Sequence, residues 1–365
     1  MIRMNDFLAD PAQLLQQELA AAERVLQSGW FVLGKEVEQF EAAWARYCKA
    51  RFAVGVGNGM DAIEAGLRAI NIGPGDEVIT TPMTAMATVL GIIRSGATPV
   101  LADIEPETAL LDLESVKRCV SPRTRGVLLV HLYGQIKQMD RWSDFCQSRG
   151  LHLLEDCCQS HGAEWNGQRA GTFGTWGAYS FYPTKNLGAR GDGGALITNL
   201  SPVATKAKML RNYGQSQRYH HPEIGLNSRL DEVQAAMLSA RLTWLDGFNA
   251  RRREIALAYH NSISNSRVQL LAMSPSAENH VHHLFVVRCR ERDRLAEHLK
   301  SKEIETLVHY PVPVHQQSSC ADIARDPRGL PQAEIHAREC LSLPCHPNLR
   351  DDEVARVIEA VNAFR

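Results

Sequence analysis

Residues 52–80 read FAVGVGNGMDAIEAGLRAINIGPGDEVIT, and this stretch decides the fold. Phe52–Val56 is an apolar run of buried-strand length. Gly57-Asn58-Gly59-Met60 interrupts it, and Asp61–Ile70 follows with helical spacing. Gly73-Pro74-Gly75-Asp76 then turns the chain into a second strand, Glu77–Thr80. A strand, a glycine turn, a helix and another strand form the unit that joins parallel strands.

The pattern repeats outward from there. Further strands are read at Pro99–Ala102, Arg125–Leu132, Leu151–Glu155, Trp176–Ser180 and Gly194–Thr198, with a helix at Arg141–Ser148. Strands this continuously apolar predict a mostly parallel sheet covered on both faces. Upstream, a helix opens with Asp10 as cap, Pro11 at its first position and Gln13 completing a capping box. Leu14, Leu15, Leu19, Ala22, Val25 and Leu26 recur at helical spacing, and Gly29 stops the run. A second helix spans about 36–49, with Phe40, Ala43, Trp44 and Tyr47 on one face. Downstream, Arg229–Ile263 reads as one long helix broken near Asp246-Gly247. A strand at His283–Cys289 and helices at Arg292–Lys302 and Asp352–Ala363 complete the chain. The expectation is an α/β protein with an N-terminal helix and large domain over 1–245 and a smaller α+β domain over 246–365.

Composition narrows the function. The 365 residues carry 40 Lys and Arg against 41 Asp and Glu, a net charge of −1, which argues against a nucleic-acid protein held by its overall field. Nine cysteines without a C-x-x-C pair read as reduced thiols. No stretch reaches the length of a membrane span and Met1–Asp10 has no signal-peptide core, so a cytoplasmic protein is expected.

In open α/β sheets ligands sit beyond the carboxyl ends of the strands. Four segments fall there. Gly57-Asn58-Gly59-Met60-Asp61 lets the backbone approach an anion at a helix start, although a strand-to-helix turn needs glycine in any case. Glu155-Asp156 ends an apolar strand, where a buried carboxylate needs a cationic or protonated partner; a helix cap is the alternative for Asp156. Lys185, in SFYPTKNLG (180–188), precedes Gly188, Gly191, Gly193 and Gly194 with Asp192 among them. A desolvated lysine forms Schiff bases, whereas a solvated one is only a surface charge. Asn227, ahead of Asp231 and Glu232, reads from spacing as a helix cap or its neighbour. An anion turn, a buried carboxylate and a loop lysine together fit pyridoxal phosphate, with phosphate on the turn, ring nitrogen on Asp156 and aldehyde on Lys185. His131, His309 and His315 match no zinc spacing, H-E-x-x-H and G-x-S-x-G are absent, and no metal is expected.

These residues carry a resemblance. The segments GNGMDAI (57–63), HLYGQ (131–135), EDCCQSHGA (155–163), SFYPTKNLGARGDGG (180–194), RNYGQ (211–215), GLNSRLDEVQAA (225–236) and HYPVPVHQ (309–316) occur in the order found in the DegT/StrS family. The chain thus resembles pyridoxal-phosphate-dependent sugar aminotransferases. The lysine segment, followed by G-D-G-G, looks most like members that aminate carbon 3 of a nucleotide-linked keto sugar.

The resemblance implies a type I aminotransferase fold with a mostly parallel seven-stranded sheet. It implies that Lys185 carries the cofactor as a Schiff base and then moves the proton, and that Asp156 pairs with the pyridine nitrogen. Gln159 would lie by the ring face or the phenolic oxygen. Ser180 and the amides of Gly59 and Met60 would bind the phosphate. Asn227 would reach the cofactor phosphate of a neighbouring subunit, making the site a property of a homodimer. Tyr182, the Arg218-Tyr219-His220-His221 segment, His309 and Tyr310 are candidate substrate contacts. One departure stands out: where relatives place a ring-stacking aromatic in T-[FY]-x-A-T, this chain has Ala85. The implied reaction passes an amino group from an amino acid, with L-glutamate expected, to carbon 3 of a dTDP-linked 3-keto-6-deoxyhexose. The alternatives are a UDP-linked or 4-keto sugar, or a regulator built on the same fold. A related dehydratase chemistry, in which histidine replaces the lysine, is opposed by Lys185.

Overall fold

The chain opens with α1 (Ala12–Ser28) and α2 (Lys35–Tyr47) in the computed structural model, which describes residues 1–365. The alternating part follows: β1 (Phe52–Val56), α3 (Gly59–Ala69), β2 (Glu77–Thr80), α4 (Met86–Arg94), β3 (Thr98–Leu101), α5 (Leu113–Cys119), β4 (Thr124–Val130), α6 (Met139–Arg149), β5 (His152–Asp156), β6 (Trp176–Ser180), β7 (Gly194–Thr198) and α7 (Ser201–Leu210). Then come α8 (Glu232–Leu242), α9 (Leu245–Ser262), β8 (Gln269–Leu270), β9 (Phe285–Arg288), α10 (Arg292–Ser301), β10 (Ala324–Arg325), α11 (Pro331–Glu339), β11 (Cys340–Leu343) and α12 (Asp351–Asn362).

Hydrogen bonding orders the main sheet β1-β7-β6-β5-β4-β2-β3-β10. Only β7 runs against the rest. The sheet therefore has eight strands rather than the expected seven, because Ala324–Arg325, from the C-terminal part, adds a short parallel edge beside β3. The C-terminal part also builds its own antiparallel sheet, β8-β9-β11.

Apolar side chains cover both faces of the main sheet. On one side Phe40 and Trp44 of α2 pack with Tyr179, Phe181 and Leu238. On the other, Ile63 and Leu67 of α3 and Val203 and Leu210 of α7 pack with Trp176, Leu154 and Leu196. Gly66 is what lets α3 approach so closely: a Cβ there would sit 2.6 Å from the Trp176 ring. A further core gathers Tyr259, Phe285, Leu295, Leu343 and Val357, and Ile2 inserts into it from the other end of the chain.

Four local expectations are corrected. Asp10 does not cap α1: the N-cap position is Pro11 without a side-chain bond, and the Asp10 carboxylate instead pairs with Arg190 and Arg241 at 2.9 and 3.1 Å. Leu15, Leu19 and Leu26, placed on the same helical face as Leu14, are exposed, while Leu14, Glu18, Ala21 and Val25 face inward. A buried ion-paired Glu18 shifted the apparent stripe. Asn227 is not the cap of α8, whose N-cap is Asp231. The long helix also breaks at Thr243-Trp244, with Gly247 inside α9.

Candidate active site

Parallel neighbours set the stage. Val130 pairs with Asp156, and Asp156 with Ala178, so β4, β5 and β6 end side by side and bring His131, Asp156 and Ser180 to one rim. At the same rim α3 begins at Gly59, with Asn58 as its N-cap accepting the Asp61 amide at 2.9 Å. The amides of Gly59 and Met60 lie at this start, where a helix leaves N–H groups free for an anion. A Cβ at Gly59 would meet the Cys158 sulfur at 2.7 Å and Ser180 Cβ at 2.8 Å. Glycine there lets the helix start lie close against Ser180 and Cys158.

Asp156 is 5% exposed. Its Oδ2 accepts the Thr88 hydroxyl at 2.7 Å and its Oδ1 the Cys158 amide at 3.1 Å. Thr88 in turn shares a 2.7 Å hydrogen bond with Thr84. Two fixed donors hold the carboxylate in one orientation. Ala85 is the half-buried N-cap residue of α4, between those two threonines.

Lys185 follows β6 in the segment 181–188 and makes neither an ion pair nor a hydrogen bond through its amine. Burial pushes its pKa below the ordinary lysine value, opposed by the facing Cys158 thiol and Asp156 carboxylate. The loop is bolted from behind by its neighbour: Asn186 Nδ2 donates to Asn249 Oδ1 of α9 at 2.8 Å and to the Val281 carbonyl at 3.0 Å. Farther along, the Arg190 amide donates to Gln234 at 2.9 Å and its guanidinium grips Glu18 at 2.6 Å.

Gln159 is clamped at both ends. Its Oε1 accepts the Tyr133 amide at 2.7 Å and its Nε2 donates to the Tyr310 hydroxyl at 3.2 Å. The Tyr133 hydroxyl donates to the His309 carbonyl at 2.6 Å. His309 Nδ1 lies 2.8 Å from the Ser342 hydroxyl, and burial, then the Lys185 charge, pull its pKa down to about 4. His309 is thus neutral near pH 7. Burial raises the Tyr310 phenol, with Asp156 adding to the effect.

Lys185, Asp156, Gln159, Gly59, Met60, Ser180, His309 and Tyr310 therefore share one site. Tyr182 is exposed. Arg218 and Tyr219 do not join the site: the guanidinium stacks on the Tyr219 ring, 5.1 Å from its centroid, in an exposed turn. Asn227 is exposed as well, although Ser228 beside it accepts the Gly57 amide at 2.9 Å. His131 is structural: its Nε2 meets Glu155, whose other contacts are the amides of Gly171, Phe173 and Gly174. His315 pairs with Glu334 at 3.1 Å. Cys157 is buried in the core beside Asp156, while Cys158 lines the site. Sequence reading missed Thr88, Asn186 and Asn249 as supports. Thr88, as the last residue of the T-x-x-A-T segment, and Asn186, next to Lys185 in SFYPTKNLG, left a signal, and Asn249 left none.

An unpaired amine of lowered pKa, a fixed carboxylate and an anion cradle fit pyridoxal phosphate. Comparison with known proteins agrees. The model of the DegT/DnrJ/EryC1/StrS aminotransferase family matches residues 13–362. The dTDP-3-amino-3,4,6-trideoxy-alpha-D-glucose transaminase of Streptomyces venezuelae is 45% identical, over 98% of this chain and 95% of that protein. The dTDP-3-amino-3,6-dideoxy-alpha-D-galactopyranose transaminase of Aneurinibacillus thermoaerophilus is 43% identical over 96% of each. Among solved structures, S. venezuelae DesV in complex with a ketimine intermediate superposes with a TM-score of 0.95 at 44% identity, covering 99% of this chain and 97% of that one. NtdA from Bacillus subtilis, solved with bound cofactor PMP, superposes at 0.89 with 29% identity, covering 97% of this chain and 82% of that one. The chain belongs to the DegT/DnrJ/EryC1/StrS aminotransferase family, and pyridoxal phosphate is its cofactor.

Proposed function

We propose that this protein transfers the amino group of L-glutamate to carbon 3 of a dTDP-linked 3-keto-6-deoxyhexose, yielding 2-oxoglutarate and the 3-amino sugar. The observation that carries the sugar is the 45% identity, over 98% of the chain, to a dTDP-3-amino sugar transaminase. The bound cofactor supplies an electron sink that acidifies the carbon next to the transferred nitrogen. The residues do the rest. Lys185 anchors the cofactor and carries the proton between the two carbons, a role that suits an amine whose pKa burial has lowered. Asp156 holds the ring nitrogen protonated, and Gly59, Met60 and Ser180 take the phosphate. Gln159 would lie against the ring or its phenolic oxygen. Tyr182, His309 and Tyr310 contact the sugar, with neutral His309 as a hydrogen-bonding group rather than a charge.

Two copies complete the site on this reading. Asn227, Arg218 and Tyr219 are exposed, and they serve the partner's cofactor phosphate and substrate diphosphate. Support for a self-interface comes from Leu15, Leu19, Leu26, Trp30 and Phe31, a bare apolar run on and after α1. It is continuous with the Asn227 segment, since the Phe31 carbonyl accepts the Glu232 amide at 3.1 Å and Val32 bridges to Asp231. Residues 1–245 carry the cofactor and residues 246–365 close over it. We place the dimer in the cytoplasm: all nine cysteines are free thiols, as in a reducing compartment. No helix is long and apolar enough to cross a membrane.

The deciding assay incubates the holoenzyme with L-glutamate and a panel of dTDP- and UDP-linked 3-keto and 4-keto sugars, reading product mass and regiochemistry. Amination of the dTDP 3-keto sugar well above the others is the expected result. Equal turnover of the 4-keto sugars overturns the carbon-3 assignment, and no 2-oxoglutarate with any acceptor overturns the donor.

A further inference from the structure

Beside Tyr133 lies a cavity of about 400 Å³ between α9 and the segment 271–286. Its volume is within the range of small-molecule sites. Leu257, Leu271, Met273, Leu284 and Phe285 supply apolar walls. Leu257 and Met273, at its mouth, are 50% and 59% exposed.

Several of its polar groups keep a donor without a partner. The Arg253 guanidinium, half-buried in the wall, makes no ion pair, because the neighbouring Glu254 carboxylate is held by Arg251 at 3.2 Å. The rings of His280 and His282 stack 3.7 Å apart and 7° from parallel. His280 Nδ1 accepts the His282 amide at 2.9 Å, so its other nitrogen carries the proton and is free to donate. The His260 ring lies 5.2 Å from Phe285 in edge-to-face geometry, with no hydrogen bond of its own. Burial pushes the His280 pKa down to about 3 and lowers those of His282 and His260, so near pH 7 the imidazoles are neutral. Arg253 is the only Lys or Arg side chain of the lining and makes no ion pair, although the Glu278 carboxylate feels its charge. Ser274, which accepts Gln135 Nε2 at 2.9 Å, keeps its hydroxyl proton to give.

We propose that this cavity is a second ligand site that takes a small aromatic anion, its ring against Phe285 and the stacked histidines and its charge on Arg253. Flat rings favour such faces, and a guanidinium with neutral donors around it selects an oxyanion. Two sources present this chemistry, a nucleoside monophosphate and an aromatic carboxylate. Either would also touch Tyr133, whose backbone amide and hydroxyl hold Gln159 and the His309 carbonyl.

The test uses pyridoxal-phosphate-loaded enzyme and the fluorescent aromatic sulfonate 8-anilinonaphthalene-1-sulfonate. Saturable binding of one probe per chain is expected. Arg253→Met should weaken it at least tenfold, and Leu257→Trp, which fills the mouth from the exposed side of α9, should abolish it. Both variants should keep the wild-type cofactor absorbance and melting temperature. Thymidine 5′-monophosphate and 4-aminobenzoate are then offered as displacers, and the one that displaces the probe names the source. Displacement by neither, non-saturable binding, or equal binding by wild type and both variants overturns the proposal.

Discussion

At the scale of the residue, the reaction centre depends on few atoms and on what holds them. Lys185 has no partner in the folded chain, and burial disfavours its charged form. Lys185→Ala should abolish the visible absorbance of the lysine-linked cofactor and cut amine transfer by roughly 10²–10⁴ or more, the range for loss of a positioned acid–base group. Normal turnover by that variant would falsify the lysine assignment. Asp156 is oriented by Thr88, so Thr88→Val should weaken cofactor binding about tenfold, since a hydrogen bond to a charged group contributes roughly 1.5–3 kcal/mol. Absorbance titration with the cofactor reads this, and Thr88→Ser should restore most of it. Unchanged affinity in the valine variant would remove Thr88 from the site. Lys185 and Asp156 stood out as candidates in the sequence because Asp156 ends an apolar strand and Lys185 lies between a strand end and a glycine-rich run. Thr88 and Asn249 did not, because their partners are 68 and 63 residues away in the chain.

At the scale of the element, Glu232 shows how one side chain ties distant segments together. It is the first residue of α8, yet its carboxylate accepts the amides of Gly34, Glu36 and Val37 at 2.8, 2.9 and 3.0 Å, capping α2 in place of any local side chain. A buried charge that satisfies helix-start amides is costly to remove. Glu232→Ala should lower stability by about 2–3 kcal/mol, with Glu232→Gln intermediate, as read by urea unfolding of the holoenzyme. If alanine shifted the midpoint no more than an ordinary surface change, the cap would be redundant. Helix and strand positions within the alternating region were legible from period and punctuation, with Phe52–Val56, Trp176–Ser180 and Gly194–Thr198 read to the residue. The inward face of α1 was not: Glu18 is buried at 2% only because Arg190 and Arg241 meet it, and neither is nearby in sequence.

At the scale of the whole molecule, buried histidines set the acid limit. Burial lowers the pKa of His161, His280 and His336 to about 3 and that of His309 and His346 to about 4. Unfolding returns them to near the ordinary value of about 6.5. Below that pH the unfolded chain takes up protons that the folded one does not, so stability falls as pH drops from about 6.5 toward 4. The melting temperature should decline steadily over that window; a flat profile would mean the histidines are solvated. The shared-site reading has its own test. Lys185→Ala and Asn227→Asp chains, each inactive alone, should regain about a quarter of wild-type activity when unfolded together and reassembled, because half the dimers then hold one intact site of two. No recovery would place Asn227 with its own subunit's site.

By itself the sequence determined the alternating strands and helices and the glycine turn before Asp61, and it singled out Lys185 and Asp156 as candidates. These follow from period, turn chemistry and strand ends, which act over a few residues. Tertiary structure alone decided that Ala324–Arg325 would extend the main sheet, that Ile2 would sit in the C-terminal core, and which side chains would clamp Gln159 and Asn186. The reason is range. A buried polar group must find a partner somewhere, and when local chain offers none, the fold supplies it from a segment that no spacing rule connects.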